Sequence, residues 1–304
     1  MPHARSRAQQ RIARARLAAA AALALLALTA GCSGAREAAP RPTIVVSVPP
    51  QAWLVERLVG DAAEIVVMIP PGASPATFEP ELGQLRALSR ASLYVKVGHP
   101  HFPFEATWID RLLADHPELR VIDLSLGEGS GDHDPHLWLS PARVAAMIEP
   151  LAEALKTAVP DAAGELPARS DALQRDVAAT DAALRSVLAS ARGKSFLSVH
   201  AAWGHLAADY GLIQIAVEQD NKAPDPHRLT ELIDRARALG IPVVFAQPQF
   251  DPASAELIAA ELGARVEWID PLARDWADNL VRVAKQLAAA TRETAAQPDR
   301  AVDG

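Results

Sequence analysis

The most regular feature of the sequence is the alternation of short β-branched, apolar runs with longer segments whose apolar residues recur at helical spacing. Continuous apolar runs between helices are typical of parallel strands covered on both faces. Eight such runs form two groups of four: 43–48, 64–69, 93–97 and 119–123, then 195–199, 213–217, 241–246 and 265–269. The pattern predicts an α/β protein with two lobes, each containing a four-stranded, mainly parallel sheet flanked by helices.

A strandless stretch from about 141 to 192 separates the two groups of strands. Ser140 followed by Pro141 predicts the N-cap and first residue of one helix. A second helix is predicted over 165–192, and Gly193 is expected to end it. Its apolar face, with one polar member, consists of Leu173, Val177, Thr180, Leu184 and Leu188. A helix of about 28 residues is about 40 Å long, enough to join two lobes as a strut.

The first 31 residues have the pattern of a secretory signal, because five arginines precede an apolar segment that ends in "LTAGC". The apolar segment is too short for a permanent membrane span. The ending resembles a bacterial lipobox, although Thr29 stands where leucine is usual. Cys32, the only cysteine, is therefore predicted to carry a lipid anchor. The alternative is an ordinary cleaved signal followed by an incidental cysteine.

The predicted organisation follows from these boundaries. In chain order it comprises a lipoprotein-type signal peptide (1–31), a tether (32–42), an N-terminal α/β lobe (43–160), a linking helix (161–192), a C-terminal α/β lobe (193–290) and a disordered tail (291–304).

The net negative charge of the chain favours a cationic ligand over nucleic acid. Residues 1–31 contain five arginines and no acid, so their removal changes the formal charge from −7 to −12. A nucleic-acid-binding protein would need a basic surface, so that class of partner is not expected. A negative charge suits a soluble protein with a cationic ligand. A single cysteine forms no intramolecular disulfide, so stability has to come from the core.

Residues able to bind a metal follow several predicted strands, where open α/β sheets bind ligands. His99 and His101 follow the third run, His200 follows the fifth, and Asp270 follows the eighth. His136 lies in "DPHLWLSP", just before the first interlobe helix. Three imidazoles and one carboxylate converging between two lobes would suit Zn²⁺. Each residue alone also has a structural explanation: surface or core packing for a histidine, and a turn or N-cap for Asp270.

The other candidates are expected to have no ligand role. His205 and Tyr210 are interpreted as packing or polar surface residues of a helix after His200. His133 is expected in a solvated loop, with weak recruitment of metal as the alternative. The remaining histidines are assigned to the surface or the signal: His3, His116 and His227.

The order of these motifs resembles the cluster A-I, ZnuA/TroA-type metal-binding solute-binding proteins of bacterial ABC importers. The resemblance rests on "DPHLWLSPARV", "VHAAWGHLAADYGL" and the block from "EQDNKAPDPHRL" through "QPQFDPAS" to "WIDPLARDWADN", spread over most of 43–290. It implies two α/β lobes joined by one long, rigid helix, with a metal between them. It also implies that His136, His200 and Asp270 are ligands. Histidine at 200, where manganese-type members often have glutamate, favours Zn²⁺ over Mn²⁺.

One position departs from the family pattern. The family usually supplies its first histidine from a motif that here reads "GASPATFEP", with Ala76 at the histidine position. We expect His99 or His101 to replace it, because both are predicted to point to one side of an extended segment beyond the next strand of the same lobe. The sequence does not choose between the two. The alternative is that both are exposed and water completes the site.

The resemblance implies capture of a divalent metal outside the cytoplasm by a monomeric, membrane-anchored lipoprotein, with delivery to an ABC permease and its ATPase. Four protein ligands would leave no open position for an activated water, so no enzymatic activity is expected. Two alternatives are a zinc-dependent hydrolase with water as fourth ligand, and an adhesin or metallochaperone lipoprotein on the same scaffold.

Overall fold

The computed structural model describes residues 41–127, 133–218 and 224–296, and those from Pro42 onward belong to one compact unit. Each of the eight predicted runs forms a strand, with ends within two residues of the prediction. The strands are β1 (Thr43–Val46), β2 (Glu64–Val67), β3 (Leu93–Lys96), β4 (Val121–Asp123), β5 (Ser195–His200), β6 (Ile213–Glu218), β7 (Val243–Ala246) and β8 (Arg265–Trp268).

The strands form two sheets with the same topology. The orders are β2-β1-β3-β4 and β6-β5-β7-β8, and every neighbouring pair is parallel. In each sheet the chain order reverses between the two central strands, β1 and β3 or β5 and β7. Ligands of open parallel sheets bind beyond the carboxyl ends of strands at such a reversal. The predicted fold class of two four-stranded α/β lobes is confirmed.

Nine helices cover these sheets in the part of the chain that the structure describes. They are α1 (Pro49–Val59), α2 (Leu82–Ser89), α3 (Asp110–Ala114), α4 (Pro141–Ala158), α5 (Leu166–Leu188), α6 (Gly204–Tyr210), α7 (Pro226–Ala238), α8 (Pro252–Leu262) and α9 (Trp276–Ala296). Pro141 opens α4, and the Ser140 hydroxyl accepts a hydrogen bond of 3.3 Å from the Arg143 N–H, as the sequence predicts. Within the described ranges, no helix is both long and apolar enough to cross a membrane.

The long helix α5 connects the lobes. It has 23 residues, about 35 Å at 1.5 Å per residue, because its predicted last turn becomes the 3₁₀ turn Ala189–Ala191. Gly193 follows at φ +72°. All members of the predicted apolar face are buried, and the Thr180 hydroxyl donates to the Asp176 carbonyl at 2.9 Å. The helix packs against α1, α4 and α9.

One continuous core extends through both lobes, and a second, smaller core lies between the second sheet and helices α7 and α8. The continuous core includes Trp276, whose ring centroid lies 5.2 Å from that of Trp53. Trp276 also donates its indole N–H to the Trp138 carbonyl at 2.6 Å, and Trp138 donates its own to the Pro271 carbonyl at 2.7 Å. These bonds join the segment before α4 to the start of α9.

The expectation of a disordered tail from 291 is wrong for its first residues. Helix α9 continues to Ala296. Thr291 is buried, and Arg265 forms an ion pair of 2.6 Å with Glu293. These contacts with the second lobe extend the helix beyond Ala290, the predicted last residue of that lobe. The rest of the predicted tail lies outside the described residues, as do the signal peptide and Cys32.

Candidate metal site

Asp134, two residues before His136, orients the His136 imidazole. The Asp134 Oδ1 atom accepts hydrogen bonds from the His136 backbone N–H at 3.0 Å and from its Nδ1 at 2.6 Å. Because a carboxylate only accepts, the proton lies on Nδ1 and the lone pair of Nε2 is left for a metal. Burial acts to raise the pKa of Asp134, but hydrogen bonding and charge from His136 outweigh it and the pKa is lowered.

His200 is the last residue of β5 rather than the first residue beyond it. Its ring centroid lies 5.3 Å from that of His136, with the planes at 79°, and 4.8 Å from that of Phe250. The side chain is buried, and its Nδ1 has no hydrogen-bond partner among the described residues. Burial, followed by the nearby His136, lowers the pKa of His200 to about 3. The imidazole is therefore neutral, as metal binding requires.

The low pKa of His200 predicts acid sensitivity of the zinc-free protein. Unfolded histidine titrates near 6.5, so the unfolded chain binds this proton first and stability falls as the pH drops from about 7 towards 3. At pH 5 the loss is about 2 kcal/mol. Urea unfolding at several pH values measures it, with His200→Gln as the matched variant. The expected result is a shallower pH dependence in the variant; equal slopes would contradict the assignment.

His99 and His101 lie on a turn, so the expectation that both point to one side of an extended segment is wrong. The Phe102 N–H donates to the His99 carbonyl at 2.9 Å, and the His101 N–H donates to His99 Nδ1 at 3.2 Å. His99 is only 3% exposed, whereas His101 is exposed and lines the cleft between the lobes. The two ring centroids are 5.7 Å apart. The turn therefore presents His101, rather than His99, to the cleft.

The start of the turn is held by a buried carboxylate that the sequence did not reveal. Glu105 accepts hydrogen bonds from the N–H groups of Val97 at 2.7 Å and Gly98 at 2.8 Å, and burial raises its pKa. Gly98 has φ +79°, and a Cβ there would lie 1.6 Å from an Asp123 carboxylate oxygen. Both features fix the direction in which the chain leaves β3.

His133 is exposed, as expected for a solvated loop, but it also belongs to the cleft. Its ring centroid lies 4.4 Å from that of His101. The only sequence signal for this placement is its position three residues before His136.

Asp270 is half-buried and does not line the cleft. Its Oδ1 accepts hydrogen bonds from the Leu272 N–H at 2.9 Å and from Gln249 Nε2 at 2.7 Å. The first bond is the turn contact that the sequence offered as an alternative to a ligand role. Gln249, in contrast, lines the cleft, and its Oε1 is buried without a hydrogen-bond partner in the described part of the chain. The sequence feature that could have indicated Gln249 is its place in "QPQF" (247–250), the segment that directly follows β7.

The cleft has a volume of about 710 Å³ and receives residues from both lobes. Ala76, at the position of the family's first histidine, is part of its wall. Four histidines line it: His101, His133, His136 and His200. Within the described ranges, no three His, Cys, Asp or Glu side chains are close enough to hold one ion. The imidazoles meet in pairs, so joint coordination of an ion requires side-chain movement.

Two similar parallel sheets, joined by a long helix and facing each other across a histidine-lined cleft, define a two-lobed solute-binding protein of the metal-binding type. Residues 44–290 match the family described as ZnuA, the periplasmic component A of the zinc-uptake complex. The chain belongs to this family, which supplies the binding component of zinc uptake and not an enzyme.

Named relatives agree with this membership. The chain is 28% identical over 275 residues to the zinc-binding lipoprotein AdcA of Streptococcus pneumoniae, covering 83% of this chain and 54% of AdcA. It therefore spans about half the length of that relative. It is 28% identical over 281 residues to the high-affinity zinc uptake system protein ZnuA of Paracoccus denitrificans, covering 78% of this chain and 84% of that protein.

Solved structures support the fold. A crystal structure of ZnuA superimposes with a TM-score of 0.77 at 35% identity, covering 83% of this chain and 99% of the other. The periplasmic zinc-binding protein TroA of Treponema pallidum superimposes with a TM-score of 0.74, covering 83% of this chain and 99% of TroA. At 16% identity, the second match concerns the fold alone.

Proposed function

We propose that the chain captures Zn²⁺ in the cleft between its lobes and delivers it to the permease of an ABC importer, whose ATPase drives uptake. The observation that carries the proposal is the pair His136 and His200, whose rings come from different lobes and lie 5.3 Å apart. One imidazole is fixed with its Nε2 lone pair available, and the other is held neutral by burial. Membership in the zinc-uptake family supports the same function.

The donor set favours Zn²⁺ over Mn²⁺. Imidazole nitrogen suits zinc, whereas Mn²⁺ is better served by sites rich in carboxylate oxygen. Four imidazoles line the cleft beside a single carboxylate, that of Asp134, which is hydrogen-bonded to His136. The Asp270 carboxylate is hydrogen-bonded to Gln249. A tetrahedral site of imidazoles and one carboxylate is within the usual range for zinc.

We propose His101 as the replacement for the family histidine that is missing at Ala76. Both positions line the cleft, so an imidazole at either one can approach the same ion. His99 is a weaker candidate, because its Nδ1 already accepts the hydrogen bond that closes the turn. Asp270 would complete the site after exchanging its bond to Gln249 for the metal.

Moving the histidine between the two positions tests this assignment. His101→Ala is expected to lower zinc affinity by roughly 10- to 100-fold, since an imidazole ligand is exchanged for water. Ala76→His in the His101→Ala background is expected to recover most of the loss. Competition titration against a chromophoric chelator, with residues 33–304 and no His-tag, measures both. His227→Ala is the control, because this histidine is exposed on α7.

Two results would contradict the assignment. The first is an affinity of His101→Ala equal to that of His227→Ala. The second is a loss of zinc affinity in His101→Ala that Ala76→His does not reverse, together with an equal loss of zinc affinity in His99→Ala.

The cellular function has its own test. We propose a monomer held outside the cytoplasm by a lipid on Cys32. Deletion of the gene is expected to impair growth in zinc-chelated medium, with rescue by added zinc but not manganese. The unmodified gene should restore growth, whereas a His136→Ala/His200→Ala version should not. Growth restored by the double variant would show that the protein's role does not depend on zinc binding by His136 and His200.

A further inference from the structure

His205, which sequence reasoning assigned to packing or polar surface, contacts the opposite lobe. It is the second residue of α6 in the second lobe and is 5% exposed. Its Nε2 lies 2.9 Å from the backbone carbonyl oxygen of Asp134, in the first lobe. A carbonyl only accepts, so Nε2 carries the proton and donates.

The residue that receives this bond is the one that orients His136. Asp134 Oδ1 holds both the backbone N–H and the Nδ1–H of His136, and Asp134 Oδ2 lies 3.9 Å from His205 Nε2. Asp134 is therefore held on two sides, by the second lobe through its main chain and by His136 through its carboxylate.

The packing at the start of α6 shows how closely the lobes approach here. A Cβ added to Gly204 would lie 2.6 Å from Asp134 Oδ2, so the glycine leaves the space that the carboxylate occupies. The contact also lies near the cleft, because Gly204 and Asp134 both line it. The first turn of α6 thus buries the His205 N–H donor against Asp134, in the segment that carries the candidate ligand His136.

We propose that His205 is a positioning residue that acts through Asp134 to hold His136 in its metal-binding orientation. The second lobe would thereby determine the geometry of a ligand supplied by the first. The inference rests on the proposed function, in which His136 binds zinc. It adds a chain of contacts from His205 to Asp134 to His136 that spans the two lobes.

Two substitutions at position 205 separate hydrogen bonding from packing. The side-chain nitrogen of glutamine reaches about as far as His Nε2 and can donate to the same carbonyl, whereas leucine fills similar space without a donor. His205→Leu is expected to lower zinc affinity by roughly tenfold or more, as is usual for partners that orient a ligand. His205→Gln is expected to retain most of the affinity.

The control variant changes the same helix without touching Asp134. Tyr210 donates its hydroxyl to Asp181 Oδ1 at 2.8 Å, so Tyr210→Phe also removes a hydrogen bond of α6. It should lower stability and leave zinc affinity unchanged. In an Asp134→Ala background, where the link to His136 is already cut, His205→Leu should cause little further loss of affinity. Equal losses in both backgrounds would overturn the proposal.

A measurement on the zinc-free protein distinguishes failure of this inference from failure of the proposed function. Long-range ¹H–¹⁵N correlation spectra report which ring nitrogen of His136 carries the proton. The Nδ1–H form is expected in the unmodified chain and in His205→Gln, with a mixture of tautomers in His205→Leu. If the leucine variant does not fold, His205→Asn, which is too short to reach the carbonyl, replaces it. An unchanged Nδ1–H form without the donor would overturn the inference whether or not zinc binds.

Discussion

Replacing His136 with alanine is expected to lower zinc affinity on the order of 100- to 1,000-fold. Zinc sites with four protein ligands have apparent binding free energies of roughly 10–16 kcal/mol, about 2.5–4 kcal/mol for each ligand. Each 1.4 kcal/mol corresponds to a factor of about ten. His136 should have the full effect, because its Nδ1–H is already bonded to Asp134 and its orientation requires no further ordering.

Two comparisons make the His136 experiment specific. Asp134→Ala keeps the imidazole but removes its orienting carboxylate, so a smaller loss of roughly 10- to 100-fold is expected. His116→Ala, at a histidine that does not line the cleft, should bind zinc as the unmodified chain does. A His136→Ala variant with the affinity of His116→Ala would remove His136 from the site.

Replacing Trp276 with alanine is expected to have the largest effect on stability, lowering the free energy of unfolding by about 4 kcal/mol. The indole is 2% exposed and packs against Trp53. Its N–H also donates to the Trp138 carbonyl, which would lose this partner in a buried environment. The loss therefore combines a core cavity with an unsatisfied acceptor beside the segment that carries His136.

Trp268→Ala is the matched control, since it removes the same side chain from β8 at a position where it is 45% exposed. This variant should lose less than about 1 kcal/mol, a usual value for a surface substitution. Urea unfolding followed by far-ultraviolet circular dichroism compares the two. Similar losses at both positions would show that the contacts of Trp276 do not contribute as inferred.

The fold was predictable because its signals are local. Each strand is a short apolar run, and the helices are marked by caps such as Ser140–Pro141 and by buried rows such as that of α5. The end of α9 was missed because it depends on a contact distant in sequence, between Arg265 and Glu293. The segment from 291 onward is polar and has no apolar pattern that predicts a helix. Its helical continuation is evident only from the contact with Arg265 in β8.

The candidate site was predictable in part. His200 was identified because it ends a strand where parallel sheets bind ligands. His136 was identified from its place in "DPHLWLSP", just before α4, and from the resemblance to the family motif. The choice between His99 and His101 depends on a turn that starts at Gly98 and on its bonds to Glu105, which adjacent sequence does not reveal. Gln249 and His205 were missed because their partners, Asp270 and Asp134, are far away along the chain.

The most direct test of the account is a crystal structure of residues 33–304 grown with one equivalent of zinc and measured on both sides of the zinc absorption edge. We predict one strong anomalous peak per chain in the cleft, bonded to His101, His136, His200 and Asp270, with Asp270 released from Gln249. A peak bonded to residues of one lobe only, or no peak in the cleft, would contradict the claim that both lobes bind zinc together.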